Sequence, residues 1–418
     1  MKIVVVCPHF APDTAPTGTV MTRIVEELAT LGHEVHVVTS LPWYRAHRIE
    51  PGWEGRRIRS EATAWGSIVR VDPFPGGDKR NLLRRAIGFV GFSLLACVAG
   101  VRAGGPGRPD AVLAMSPPLT LGPTGWLVGR IRRAPLVFNV QDVFPDAAVR
   151  TGAITDRRVI RFAEALERWT YRRSAAVTVL SDDLAENVRR KVGVGLAHRV
   201  RVIPNFVDTD RIRPGDRATA YRGQHGLGDG PVVLYAGNIG YSQPFELLVE
   251  TARRCPDVTV VVNGDGAAKA DLEQRVTGVA NFRIVGFQDA DRLSEVLATG
   301  DVHVVLLRPG LGEVSVPSKT YSSLAAARPV VAAIDPGTEI PRLLALAGAG
   351  RCVAPDDVDG FVHAVRALVD DPTERERMGG SGRRWVVDNA SPAAVGSSYA
   401  LLLAEVAAGP IRRRADIV

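Results

Sequence analysis

Gly230–Gly240, GPVVLYAGNIG, is an apolar run of strand character that closes on two glycines set around Asn238-Ile239. A strand without polar alternation is one buried on both faces, as in a parallel sheet. The helical pattern Phe245 to Arg254 follows, and the same unit then recurs. VTVVVNGDG from Val258, FRIVGF from Phe282, VHVVLL from Val302, PVVAAI from Pro329 and GRCVAP from Gly350 are each separated by a helix-like stretch. This alternation predicts a doubly wound parallel sheet. The first half carries the same theme. Its strands are expected at KIVVVC, EVHVVTS, SIVRV, AVLAMS, PLVFNV, AAVTVLS and RVRVIP, with helices at Val20 to Leu31 and around Arg157 to Arg173.

At 418 residues the chain exceeds one compact core. Periodicity breaks at prolines and glycines between Asn205 and Gly230, so two α/β domains are expected to join there. The boundaries read as 1–207, 208–390 and a terminal helix with tail, 391–418, packing back on the first domain. The net charge of +7 and pI near 9.5 point to an anionic partner. No basic run interleaved with aromatics indicates nucleic acid. Cys7, Cys97, Cys255 and Cys352 form no CxxC pair, and MKIVVVCPHF is a strand rather than a signal peptide; both fit a cytoplasmic protein.

Ligands of open α/β sheets bind beyond the carboxyl ends of the strands. Gly18, Gly237, Asn238, Gly240, Gly264, Gly266 and Ser318 collect at such ends, and two facing sheets make the cleft between them the expected site. In Glu313–Ala333, EVSVPSKTYSSLAAARPVVAA, a polar loop leads into a helix start at Pro317-Ser318-Lys319. Proline suits a first helical turn, and free amides with Ser318 and Lys319 suit an anion, most often a phosphate. An ordinary capped helix with a solvated lysine remains the alternative. His9 stands in the first strand-to-helix loop, at the same carboxyl end of the first sheet.

Together these segments resemble glycosyltransferase family 4, with its two-domain GT-B architecture. RVIPNFVDTDRIRP resembles the interdomain passage, and YAGNIGYSQPFELL the opening of the donor domain. VVNGDGAAKADLE, FRIVGFQDADRLSEVLATGDVHVVLL, PSKTYSSLAAARPVVA and GAGRCVAPDDVDGFVHAV follow in the family's order. The nearest pattern is that of bacterial transferases building O-antigen, capsule or exopolysaccharide. The resemblance implies two Rossmann-like doubly wound domains facing a cleft, the first holding a glycan or lipid-linked acceptor and the second a nucleotide-sugar donor. It implies a diphosphate over Pro317-Ser318-Lys319, Phe287 against the base, retention of configuration, UDP as the nucleotide, and no metal or other cofactor.

Several positions depart from the family pattern. Ser322 stands where a ribose-binding glutamate is usual, with Glu313 beside the place of its partner. The usual phosphate-binding cations after the first donor-domain strand read as Asn238 and Gln243. Positive charge is therefore expected from Lys319, with Lys269 and Arg308 behind it. The family's His-Asp pair reads as Gln141-Asp142, leaving acceptor chemistry to Asp142, for which a helix-cap aspartate is the alternative. The resemblance puts His9 where it would touch the acceptor or donor sugar. Asp208-Thr209-Asp210 has metal-motif spacing but falls in the linker.

Lys79 to Val101 places Lys79, Arg80, Arg84 and Arg85 before about 16 apolar residues, too few to span a bilayer. The segment suits peripheral contact with an anionic membrane surface, and equally a buried helix with a basic end. Other functional classes remain: an epimerase of the same architecture, a non-catalytic nucleotide-sugar-binding partner, and an oxidoreductase. The CPHFAPDTAPTG turn, which lacks GxGxxG, opposes the last of these.

Overall fold

The computed structural model describes residues 1–45, 48–75, 82–146, 156–312 and 316–409, with side chains left out at 82–87 and 290. The chain divides into two compact units, Met1–Pro204 with the segment from Val395 onward, and Asn205–Ala394.

The first unit holds an eight-stranded sheet of order β3-β4-β2-β1-β5-β6-β7-β8. Its strands are β1 (Lys2–Val6), β2 (Glu34–Ser40), β3 (Ile58–Thr63), β4 (Gly66–Val71), β5 (Ala111–Ser116), β6 (Leu136–Val140), β7 (Ala176–Val179) and β8 (Val200–Val202). All neighbours run parallel except β3, which is antiparallel to β4. Polar, half-exposed β3 was not expected from sequence, because an edge strand with one open face has no apolar run to betray it. Helices α1 (Pro16–Thr30), α2 (Leu82–Arg102), α3 (Leu121–Arg132), α4 (Arg157–Arg173) and α5 (Asp182–Val192) cover the faces. α1 begins four residues before its expected start, with Pro16 in its first turn, where the missing N–H costs nothing.

The second unit has six parallel strands in the order β11-β10-β9-β12-β13-β14. They are β9 (Val232–Ala236), β10 (Thr259–Asn263), β11 (Phe282–Val285), β12 (Val302–Leu306), β13 (Val330–Ala333) and β14 (Gly350–Val353). Its helices are α6 (Ala220–Gln224), α7 (Glu246–Arg254), α8 (Lys269–Arg275), α9 (Leu293–Thr299), α10 (Lys319–Ala325), α11 (Glu339–Ala347), α12 (Val358–Val369) and α13 (Pro372–Ala390). The apolar strand residues form two cores, one on each face of the sheet.

The final helix, α14 (Pro392–Ala408), returns to the first unit. Its Tyr399 hydroxyl lies buried 2.6 Å from Asn139 Nδ2 of β6. In both sheets the chain leaves its first strand to one side and later resumes on the other. That creates a switch point between β1 and β5, and another between β9 and β12, where adjacent loops part and leave room for a ligand.

Candidate functional site

At the switch point of the second unit, loops after β9 and β10 lie edge to edge. The Gly237 amide donates to Asn263 O at 2.9 Å, Ile239 to Asp265 O at 2.8 Å and Gly264 to Val285 O at 2.7 Å. A Cβ on Gly264 would strike the Gly237 carbonyl, and one on Gly266 would strike that of Ile239. These two glycines let the loops approach. Gly237 acts differently: at φ +144° it leaves space that the Lys319 side chain crosses. Gly240 is tied by its amide to Gln243 Oε1 at 3.0 Å, so Gln243 folds this loop from within.

Lys319 opens α10 and reaches over Gly237, where its ammonium donates to Tyr235 Oη at 2.6 Å and sits 4.6 Å from that ring's centroid. The Tyr235 hydroxyl donates in turn to the Asn238 carbonyl at 2.6 Å. Among the described residues the ammonium has no acidic partner. Burial lowers its pKa from 10.5 to about 8. A desolvated cation with donors to spare favours an anion placed against it.

Beside it lies a cavity of about 280 Å³, lined in part by Ala236, Gly237, Asn263, Phe287, Lys319 and Ser322. Phe287 is largely exposed at its mouth. Ser323, also in the wall, donates to His303 Nδ1 at 2.8 Å, while His303 Nε2 donates to Leu297 O at 2.9 Å. This pair holds the buried ring neutral, and burial lowers its pKa to about 3. Ser318 precedes the helix and is exposed, with no capping bond from its hydroxyl. The structure thus gathers Gly237, Asn238, Gly240, Gly264, Gly266, Phe287, Ser318, Lys319 and Ser322 around one group of loops.

Three expected donor contacts differ. Arg308 is no free cation: its guanidinium pairs with both Glu246 oxygens, at 2.9 and 3.3 Å, and its Nε donates to Tyr241 O. It braces the loop instead. Lys269 lies 3.8 Å from Asp265, which offsets its charge. Gly18 belongs to α1 of the first unit, where a side chain would collide with His9 Cβ. Glu313 lies outside the described residues. Asp208 accepts the amides of Asp210 and Arg211, as a turn residue does. Among the described residues no three His, Cys, Asp or Glu side chains cluster to hold a metal.

In the first unit, the loop after β1 presents His9 at the β1/β5 switch point. Its Nδ1 lies 2.7 Å from Oδ2 of Asp13, whose other oxygen accepts the Tyr44 amide at 3.2 Å. The imidazole stacks on Trp43 and meets the edge of Tyr44. Buried Arg70 fixes the loop through the carbonyls of Phe10 and Ala11 while pairing with Glu61 at 2.6 Å. Asp13 and Arg70 escaped the sequence reading; the only local signal was the His-x₃-Asp spacing.

Gln141 departs from expectation. It is buried and donates to Asn139 Oδ1 at 2.9 Å, inside the network that includes Tyr399. Asp142 alone of that pair is exposed at the end of β6.

Residues 17–205 match the family described as glycosyl transferase 4-like domain, and residues 230–371 match glycosyl transferases group 1. The chain is 29% identical over 380 residues to the putative colanic acid biosynthesis glycosyl transferase WcaI of Escherichia coli K12, covering 88% of this chain and 91% of that one. It is 29% identical over 293 residues to the alpha-D-kanosaminyltransferase of Streptomyces kanamyceticus, covering 67% and 73%. Among solved structures, sucrose-phosphate synthase of Thermosynechococcus elongatus superposes with a TM-score of 0.71 at 18% identity, covering 98% and 99%. HepE of Anabaena, solved with UDP, superposes at 0.69 and 15% identity, covering 97% and 100%. These likenesses give the GT-B fold.

Proposed function

The chain belongs to the glycosyltransferases of the 4-like and group 1 families, and from that premise we propose a retaining hexosyl transfer from a UDP-sugar to a hydroxyl. The acceptor we propose is a glycan or lipid-linked intermediate of cell-surface polysaccharide synthesis, in keeping with the colanic acid biosynthesis for which WcaI is named. The bond from the anomeric carbon to the β-phosphate oxygen breaks, the acceptor oxygen bonds that carbon, and the acceptor proton leaves with the diphosphate.

The observation that carries the reading is Lys319: a half-buried ammonium without an acidic partner among the described residues, beside a cavity at the switch point. Its charge opposes the charge that grows on the departing diphosphate. Loop amides and Ser318 supply further donors, and Phe287 and Ser322 face the nucleoside. The charge comes from the chain, so the proposed site uses no metal. His9 and Asp142, at the carboxyl ends of their own sheet, serve the acceptor.

The reading includes work at the cytoplasmic face of a membrane. Val90, Leu94 and Val98, at helical spacing on α2, are 50%, 64% and 49% exposed, an apolar stripe suited to shallow lipid contact. Lys79 and Arg80 fall outside the described residues. No helix among the described residues is long and apolar enough to cross a membrane.

A thermal-shift screen against UDP-, GDP- and dTDP-sugars tests the donor site, since a ligand bound to the native fold raises its Tm. Stabilisation by the UDP-sugar, equal with and without magnesium and lost in Lys319→Ala, is expected. An unchanged shift in the variant removes Lys319 from the site.

A further inference from the structure

The amino ends of β6, β7 and β8, opposite the end where the sheet binds its substrates, enclose a second cavity of about 820 Å³. Its floor is apolar, made by Trp126, Leu136, Leu402 and Val406. Its walls carry Arg130, Arg133, Arg173, Arg199 and Arg201, against one acid, Glu405. Glu405 is engaged by Arg201 at 3.0 Å. Arg199 donates only to the Ser174 carbonyl, and Arg173 lies over the rings of Trp126 and Trp169 at 5.3 and 4.8 Å. The guanidinium groups of Arg130 and Arg133 have no hydrogen-bond or acidic partner among the described residues. Among the described residues, four guanidinium groups thus share one concavity without a counter-charge.

Helix polarity accounts for part of this. α3, α4 and α14 all end here, and each carboxyl end carries about half a negative charge. That offsets about 1.5 of four positive charges and leaves the cavity strongly cationic. Guanidinium forks on several walls match the oxygens of a phosphate, which accepts such paired donors. We propose that this cavity is a phosphate-binding site, for a phosphate or diphosphate group either free or at the head of a lipid whose apolar portion meets the tryptophan floor. The site is independent of the donor reading, because every wall belongs to the first unit.

Isothermal titration of the full chain with sodium pyrophosphate in 20 mM NaCl tests it, in a Lys319→Ala background that removes the donor-site lysine. Sedimentation with vesicles of 30% phosphatidylglycerol in phosphatidylcholine, against phosphatidylcholine alone, forms the second arm. Arg130→Gln/Arg133→Gln is expected to weaken binding at least tenfold, and Glu405→Gln to strengthen it severalfold. These side chains are exposed, and near-UV circular dichroism of each variant serves as the check that it folds. Loss in the pyrophosphate arm identifies free phosphate, and loss confined to the anionic vesicles identifies a lipid headgroup. Wild-type binding absent from both arms, or unchanged by the double substitution in both, overturns the proposal.

Discussion

Raising the pH from 7 to 8.5 is expected to weaken UDP binding about fourfold, and the size follows from Lys319. Burial brings its pKa from 10.5 to about 8. The free protein then holds the lysine about 90% protonated at pH 7 and about 25% at pH 8.5. A diphosphate beside the ammonium favours the charged form, so the complex titrates at higher pH than the free protein. Binding above pH 8 therefore takes up a proton, and affinity falls as pH rises through about 8. If the ligand restores the ordinary 10.5, the difference from about 8 caps the whole effect at about 300-fold. The sign for folding is the reverse: the folded value lies below the unfolded one, so the unliganded protein gains stability between pH 8 and 10.5. Calorimetric titration of UDP at half-unit steps from pH 7 to 8.5 measures the slope. Lys319→Arg, whose guanidinium stays charged throughout, controls for ionisation of the ligand. Equal slopes in wild type and Lys319→Arg would refute the assignment.

Three further outcomes are expected. Gly237→Ala forces a side chain at φ +144° into Lys319, so it is expected to lose on the order of 1–3 kcal/mol in urea unfolding and to abolish UDP binding. His303 is neutral in the fold with its pKa lowered to about 3, so its stability contribution is present above about 6.5 and is lost as pH falls toward 3, by up to about 1.4 kcal/mol per pH unit. His303→Asn is expected to be less stable overall but to flatten that slope; an unaltered slope assigns the pH dependence elsewhere. Asp13→Asn is expected to invert the His9 tautomer. The Tyr44 amide demands an oxygen opposite it, which turns the new NH₂ toward Nδ1 and moves the ring proton to Nε2. Long-range ¹H–¹⁵N NMR reads this directly, and an Nδ1–H ring in the variant disproves it.

The strand-and-glycine repeat was legible because its cause is local. A short apolar run of β-branched residues fits a strand covered on both faces, and glycines at its end mark where the chain turns sharply. Among the described residues thirteen of the fourteen strands lie where apolar runs or β-branched stretches predicted them, and β3 does not, being half polar at an edge. Lys319 was also legible, since proline, serine and lysine at a helix start form a contiguous signal. Arg308 and Gln141 had the right chemistry in the right loops, yet Glu246 and Asn139 occupy them from 62 and 2 residues away.

Residue order alone thus pointed to the two parallel α/β units, the glycine-bearing loops that follow β9 and β10, and the lysine at the head of α10. Folding alone decided which polar groups are free to act. Gly237 yields its space to Lys319, Tyr235 orients the ammonium, Asp13 fixes the His9 ring, and the arginines of α3, α4 and β8 converge on one hollow. The reason is physical. Periodicity follows from backbone geometry within a few residues, whereas desolvation and hydrogen-bond pairing depend on neighbours that only the assembled sheet brings within reach.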